Sequence, residues 1–253
     1  MIGLVLAAGI GKRLAPYTDE RPKGLIELSG RSLLARLLDG LAAAGIRETA
    51  LVVGYRQEAI RAALGATHRG MPLRYLENPA YARGPLLSLW TGRAEFERDD
   101  AVLADGDVLF APALLTRVIQ AAEPNAFLAE PEFVDTGEEQ VLYSGGERVV
   151  ALRRGVMGPP AAAYDSRAEW VGFVKVGWEA GRELAAVLDG MVRMGQVDGD
   201  YEVALDSLLL RHRFVTCGTE GLPWIEIDFP QDLQAAETEV LPRLARLGAP
   251  GPR

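Results

Sequence analysis

The chain has 253 residues, 49% hydrophobic and 25% charged, the balance of a soluble globular protein. A formal net charge of −8 excludes a general nucleic-acid binder, which needs basic surface to displace counterions from phosphates. No apolar run approaches the ~20 residues that cross a bilayer, so membrane insertion is excluded, and one cysteine, Cys217, excludes an intramolecular disulfide and suits the cytoplasm.

The elements alternate between strand and helix. Residues 2–6 are a continuous apolar run, as in a strand buried on both faces. The opening ten residues lack a basic leader and read as strand rather than signal peptide. Residues 32–44 predict a helix, with Ser32 as N-cap, one leucine stripe, and Gly45 to end it. A strand at 49–53, a helix at 57–64, a strand at 73–76 and a helix around 86–96 follow. A short strand at 101–104 leads into a helix at 112–122 with proline in its first turn. Repeated units of this length predict a Rossmann-like, doubly wound, mostly parallel α/β sheet.

After residue 126 the pattern changes. Strand-like pieces at 127–129, 140–143, 148–152 and 170–176 crowd together, which predicts an antiparallel extension in the second half. Helices at 179–194 and 201–212, strands near 214–217 and 224–227, and a helix from Pro230 to about Leu247 complete the chain; residues 249–253 read as a frayed tail. No repeat or linker divides the sequence, so one domain is expected, with residues 1–125 and 126–247 as its halves.

The first strand runs into Leu6-Ala7-Ala8-Gly9-Ile10-Gly11-Lys12-Arg13. Small residues after a buried strand let backbone N–H groups approach a polyphosphate, and Lys12 and Arg13 neutralise it. A plain strand–helix turn is the alternative at this point. The spacing is neither that of a Walker loop nor G-x-G-x-x-G. Of 27 basic residues only Lys12, Lys23 and Lys175 are lysines, which fits either sites wanting a compact point charge or chance placement. No Ser/His/Asp or Cys/His set is apparent.

The longer pattern of Gly9, Gly11, Arg13, Leu14, Pro16, Thr18, Pro22 and Lys23 resembles the signature of the nucleotide-diphospho-sugar transferase-like nucleotidyltransferases. That resemblance implies that Ala7–Gly11 line the base and triphosphate. It puts Arg13 on the β and γ phosphates, and Lys23 on the α-phosphate and the acceptor's phosphate. Asn78-Pro79, Tyr81, Gly84-Pro85 and Ser88-Leu89-Trp90 resemble the base-reading loop of the superfamily's cytidylyltransferases. Asn78 is expected at the carboxyl edge of the sheet, Gly84 beside the base, and Ser88 as a helix cap. Members that use phosphocholine often carry paired asparagines where this chain has Arg83-Gly84-Pro85-Leu86, a departure from that specificity.

Asp105-Gly106-Asp107 follows a buried strand, where a carboxylate beside phosphates suits Mg²⁺. The resemblance puts the metal on Asp107, with Asp105 the weaker candidate. Trp224-Ile225-Glu226-Ile227-Asp228, continued by Asp232-Leu233, looks like the second metal motif of the cytidylyltransferase branch, with Asp107 and Asp228 clamping one Mg²⁺. On their own, Asp-Gly-Asp is more often a solvent turn, and Asp228 reads equally as a cap for the helix opened by Pro230. Residues 169–175 place Glu169, Val171, Phe173 and Lys175 on one strand face. The resemblance gives Lys175 the acceptor's phosphate. Tyr201-Glu202-x-Ala204-Leu205 resembles an acceptor-side element, with a plain acid-rich helix start as the alternative. Trp170, Tyr201 and Trp224, with Glu169, Glu202 and Glu226 nearby, suit an ammonium group on the acceptor or else are ordinary core aromatics.

The implied activity is transfer of CMP from CTP to a small phosphorylated alcohol, amino-alcohol or phosphonate, releasing pyrophosphate. A sugar-1-phosphate nucleotidyltransferase using UTP, dTTP or GTP is the runner-up, and a non-catalytic nucleotide-sensing subunit the reading from another class. A homodimer is compatible with the sequence.

Overall fold

A computed structural model describes residues 1–154, 159 and 163–248; the tail expected at 249–253 lies outside them. The first half comprises β1 (Ile2–Ala7), β2 (Glu27–Leu28), β3 (Arg31–Ser32), α1 (Leu33–Ala43), β4 (Thr49–Val53), α2 (Gln57–Leu64), β5 (Thr67–His68), β6 (Met71–Glu77), α3 (Pro85–Gly92), β7 (Ala101–Asp105), β8 (Val108–Phe110) and α4 (Pro112–Ile119). The second half adds β9 (Ala126–Glu130), β10 (Gln140–Gly145), β11 (Arg148–Arg154), β12 (Ser166–Val176), α5 (Trp178–Arg193), α6 (Glu202–Leu208), β13 (Val215–Gly218), β14 (Trp224–Glu226), α7 (Pro230–Ala235) and α8 (Leu241–Gly248).

One ten-stranded sheet carries both halves, in the order β11-β10-β12-β7-β1-β4-β6-β5, with β9 on β12 and β13 on β9. Its centre, β7-β1-β4-β6, is parallel, and β12 opens the antiparallel part by pairing with β7. Alternation along β1 divides the core. Leu4 faces Leu86 and Leu89 of α3, while Val5 faces Leu34, Leu37 and Leu38 of α1. Helices therefore cover both faces, and the Rossmann-like expectation holds. Ser32 caps α1 as expected, its Oγ accepting from the Ala35 N–H at 3.3 Å, and α1 ends where Gly45 takes φ +87°.

A third core lies outside the sheet. Leu14, Ile26, Leu28 and Leu33 pack there with Leu109, Ile227 and Leu233. It ties the glycine-rich segment after β1 to the small β8–β14 sheet, in which Glu226 pairs with Val108. Two-residue strands and β8 carry too few side chains to show a period of two, and the sequence pattern did not predict them.

Candidate functional site

Because β1 and β7 are parallel neighbours, with Leu6 opposite Asp105, the segments after both strands emerge at one edge. Gly106 N–H donates to the Leu6 carbonyl at 3.0 Å, and a Cβ at Gly106 would lie 2.8 Å from that oxygen. Only glycine fits this approach. Gly11 takes φ +70°, and Thr18 Oγ1 donates to its carbonyl at 2.8 Å. A Cβ there would stand 3.2 Å from Lys23 Cβ, so the loop folds closely over the lysine.

The charged centre sits at that edge. Lys23 Nζ lies 2.6 Å from Asp107 Oδ2 and 2.6 Å from Asp228 Oδ1, and Arg13 lies 2.5 Å from Asp228 Oδ2. Burial works against the Lys23 ammonium, but the charges and hydrogen bonds of Asp107 and Asp228 outweigh it and raise its pKa. Asp228 arrives through the β8–β14 pairing, which ends in a bond from Ile227 N–H to the Asp107 carbonyl at 3.1 Å. Asp228 does not cap α7. Asp232 does, its carboxylate accepting from the N–H groups of Asp228 and Phe229 at 2.8 and 2.6 Å.

Glu226 joins the pair. Oxygens of Asp107, Glu226 and Asp228 all lie within 4.8 Å of one another. Burial, then the charges of Asp107 and Asp228, push the Glu226 carboxyl up. Asp107 Oδ1 is buried without a partner. A hard, oxygen-only set with an unsatisfied buried lone pair fits a divalent cation of the magnesium type. Asp105 is not among the three. It lies on the floor, where Tyr201 Oη stands 2.9 and 2.8 Å from its two oxygens. Burial, then the neighbouring Asp107, Glu202 and Glu226, raise its pKa well above the carboxylate range.

These groups open into a cleft of about 510 Å³. The structure brings to it Leu6, Ala7, Ala8, Gly9, Gly11, Lys12 and Arg13, with Lys23, Gly84, Ser88, Asp105, Asp107, Tyr201, Glu202 and Asp228. It also adds Arg154, which carried no motif in the sequence, and Tyr81, which belonged to the motif at residues 78–90 without being assigned a contact. Two expectations need correction. Asn78 is 2% exposed and does not reach the cleft, because its amide is consumed by Ser88 Oγ at 3.1 Å and the Ala80 N–H at 2.9 Å. Ser88 lies inside α3 instead of capping it; Pro85 opens that helix after Gly84.

A second cavity of about 500 Å³ adjoins the first and shares Arg13, Arg154, Glu202, Glu226 and Asp228 with it. Glu169, Trp170 and Trp224 line it, and the Trp224 indole donates to Glu130 at 3.3 Å. Lys175 is a third correction. Gly172 takes φ +82° and the pairing with β9 shifts between Trp170 and Val174, which breaks the alternation that was to align Lys175 with Glu169. β12 runs antiparallel to β7, so Lys175 sits opposite Val102, toward the far edge. It is 8% exposed and donates to the Ala121 carbonyl at 2.8 Å.

Residues 3–170 match the model of the MobA-like NTP transferase domain, and the chain belongs to that family. The CMP-5'-(3-aminopropyl)phosphonate synthase of Streptomyces rubellomurinus is 40% identical over 126 residues, 50% of this chain and 20% of that protein. The bifunctional IPC transferase and DIPP synthase of Rubrobacter xylanophilus is 31% identical over 247 residues, 94% of this chain and 51% of that protein. The chain thus spans about half or less of these two relatives. Among solved structures, the CTP:phosphocholine cytidylyltransferase from Streptococcus pneumoniae shares the fold. Its TM-score is 0.74 at 21% identity, covering 95% of this chain and 99% of that one.

Proposed function

We propose that this member of the MobA-like NTP transferase domain family is a cytidylyltransferase, moving CMP from CTP to a small phosphorylated alcohol, amino-alcohol or phosphonate and releasing pyrophosphate. The observation that carries the reading is the Lys23 ammonium set between Asp107 and Asp228 at the mouth of a glycine-lined cleft. A non-catalytic sensor has no use for that arrangement. Support for CTP comes from the named activities of the aminopropylphosphonate and phosphocholine relatives.

The chemistry asks mainly for positioning and charge neutralisation. Backbone N–H groups of the Ala7–Gly11 segment cradle the polyphosphate, and Arg13 neutralises its departing end. Lys23 meets the negative charge that grows at the α-phosphorus while the acceptor's phosphate or phosphonate oxygen attacks. That oxygen is already anionic, so no general base is needed. Asp107 and Asp228, with Glu226 beside them, would hold Mg²⁺, which supplies further neutralisation of the α-phosphate. Asp105, fixed by Tyr201, shapes the floor beneath. The single cysteine suits a reducing, cytoplasmic location, and no described helix is long and apolar enough to cross a membrane.

Pyrophosphate release over a grid of nucleoside triphosphates and phosphorylated acceptors tests the reading. CTP with a small alcohol phosphate or phosphonate is expected to lead. A clear preference for UTP or dTTP with a hexose 1-phosphate would overturn the base and the acceptor.

A further inference from the structure

The second cavity carries more charge than the reaction above uses. Among the described residues, eight carboxylates and two guanidinium groups line it. Five of the eight are engaged: Asp105 by Tyr201, Glu138 by Arg154, Glu139 by the Thr136 N–H and hydroxyl, Asp228 by Lys23 and Arg13, and Asp232 by the α7 cap. Glu226 belongs to the metal set. That leaves Glu169 and Glu202. Glu202 Oε2 is buried without a partner, and no described side chain donates to Glu169. Burial first, then neighbouring acids, push both carboxyls up to about 7: Glu139 and Glu130 beside Glu169, Asp200 beside Glu202. Each wants a cation or an N–H donor.

We propose that Glu169 and Glu202 set acceptor specificity by receiving a protonated primary amine, making the acceptor a short amino-alkyl phosphate or phosphonate. The proposal rests on the cytidylyltransferase reading and narrows its acceptor. Arg154 borders both cavities and takes the anionic end, so the acceptor spans from it to the two glutamates. The geometry favours an amine bearing N–H groups over a quaternary ammonium. A quaternary nitrogen has no hydrogen to give Glu202 Oε2, and is held instead by open aromatic faces. Here those faces are taken. Trp170 packs edge-on against Phe127 and Tyr201, with centroids 5.8 and 5.9 Å away, and Arg13 covers Phe229 at 4.9 Å. Among the described residues that line this cavity only Trp224 remains, too few for a cage. A polyol fits no better, since hydroxyls do not neutralise two glutamates in a site already crowded with acid.

The test is steady-state kinetics with CTP and four acceptors: 2-aminoethyl phosphate, its N-trimethyl analogue, ethyl phosphate and an inositol phosphate. A charge-assisted hydrogen bond corresponds to a factor of about ten to a hundred. The primary amine should therefore lead the trimethyl compound about tenfold in kcat/KM, and ethyl phosphate by more. Glu202→Gln and Glu169→Gln should each raise the KM for 2-aminoethyl phosphate about tenfold and collapse its lead over ethyl phosphate. Equal or better use of the trimethyl, ethyl or inositol compound overturns the proposal, as does a lead that survives both substitutions. If no nucleoside triphosphate is turned over with any acceptor, the transferase reading itself fails. Calorimetric titration of the wild-type protein with the same four compounds then decides. Tighter binding of the primary amine sustains the proposal; equal or absent binding overturns it.

Discussion

At the edge formed by the segments after β1 and β7, cations are set directly against carboxylates. Lys23 is shared by Asp107 and Asp228, Arg13 rests on Asp228, and glycines at 11 and 106 hold the backbone against the charges. One cavity further along, Glu169 and Glu202 are half-buried and make no ion pair among the described residues, although Arg154 lies near Glu202. Burial with neighbouring acids raises their pKa values. Both regions gather acids, yet the first pairs Asp107 and Asp228 with cations, and the second leaves Glu169 and Glu202 without an ion pair among the described residues. The first is organised for a reaction whose charges are fixed in place. The second keeps a deficit that a ligand must fill, and that costs folding stability until it does.

The comparison breaks most plainly at the carboxylates of the first region. Asp107→Asn and Asp228→Asn should each lower turnover by ~10²-fold or more with the fold intact, because each removes a formal charge from the metal set. Removing divalent ions with a chelator should abolish turnover, and adding Mg²⁺ should restore it. Activity of either variant within a few-fold of wild type would take that residue out of the site.

Lys23→Ala should cost roughly 3 kcal/mol of transition-state stabilisation, read from kcat/KM. Lys23→Arg should also be poor, since a planar fork replaces a point charge between two carboxylates. A fully active arginine variant would refute the role of charge shape here.

Gly106→Ala tests the backbone. Its Cβ would stand 2.8 Å from the Leu6 carbonyl oxygen, and no flexible side chain can yield. A loss of ~1–3 kcal/mol in urea denaturation is expected, the scale of overpacking. An unchanged midpoint would mean that the two segments are not locked together.

The smallest expected effect sharpens the contrast from the other side. Glu202 has a carboxyl raised to about 7 in the fold, by burial and then by Asp200, partly opposed by Arg154, against 4.5 for its ordinary value. Between those values the folded chain keeps a proton that the unfolded chain has released, so stability falls as pH rises through the window. Glu202→Gln removes that loss. Its Tm should exceed the wild type's at pH 8, with the gain shrinking toward pH 4.5. A gain that is the same at both pH values would show that Glu202 is not a buried, unpaired acid.

Much of this was legible in the residues alone. The run from Ile2 to Leu6, the leucine stripe of α1 and the proline opening α4 fixed the alternating core, because burial on both faces and helix capping are local demands. The glycine-rich loop, Lys23 and the Asp105–Asp107 turn follow buried strands directly, so the chemistry of that edge could be read in chain order. The tertiary structure decided the rest. Glu226 enters the metal set because β14 pairs with β8 across 118 residues of sequence, through a strand too short to show a period. Arg154 lines the cleft through its bonds to Asp200 and Glu138, partners no motif announced. Lys175 leaves the site because one left-handed glycine breaks the alternation along β12, and Asn78 withdraws because Ser88 takes its amide. Periodicity reports which face a side chain takes relative to its neighbours. Which distant carboxylate meets which cation, and which acid is left without one, depends on strand pairing and packing between segments far apart in the chain.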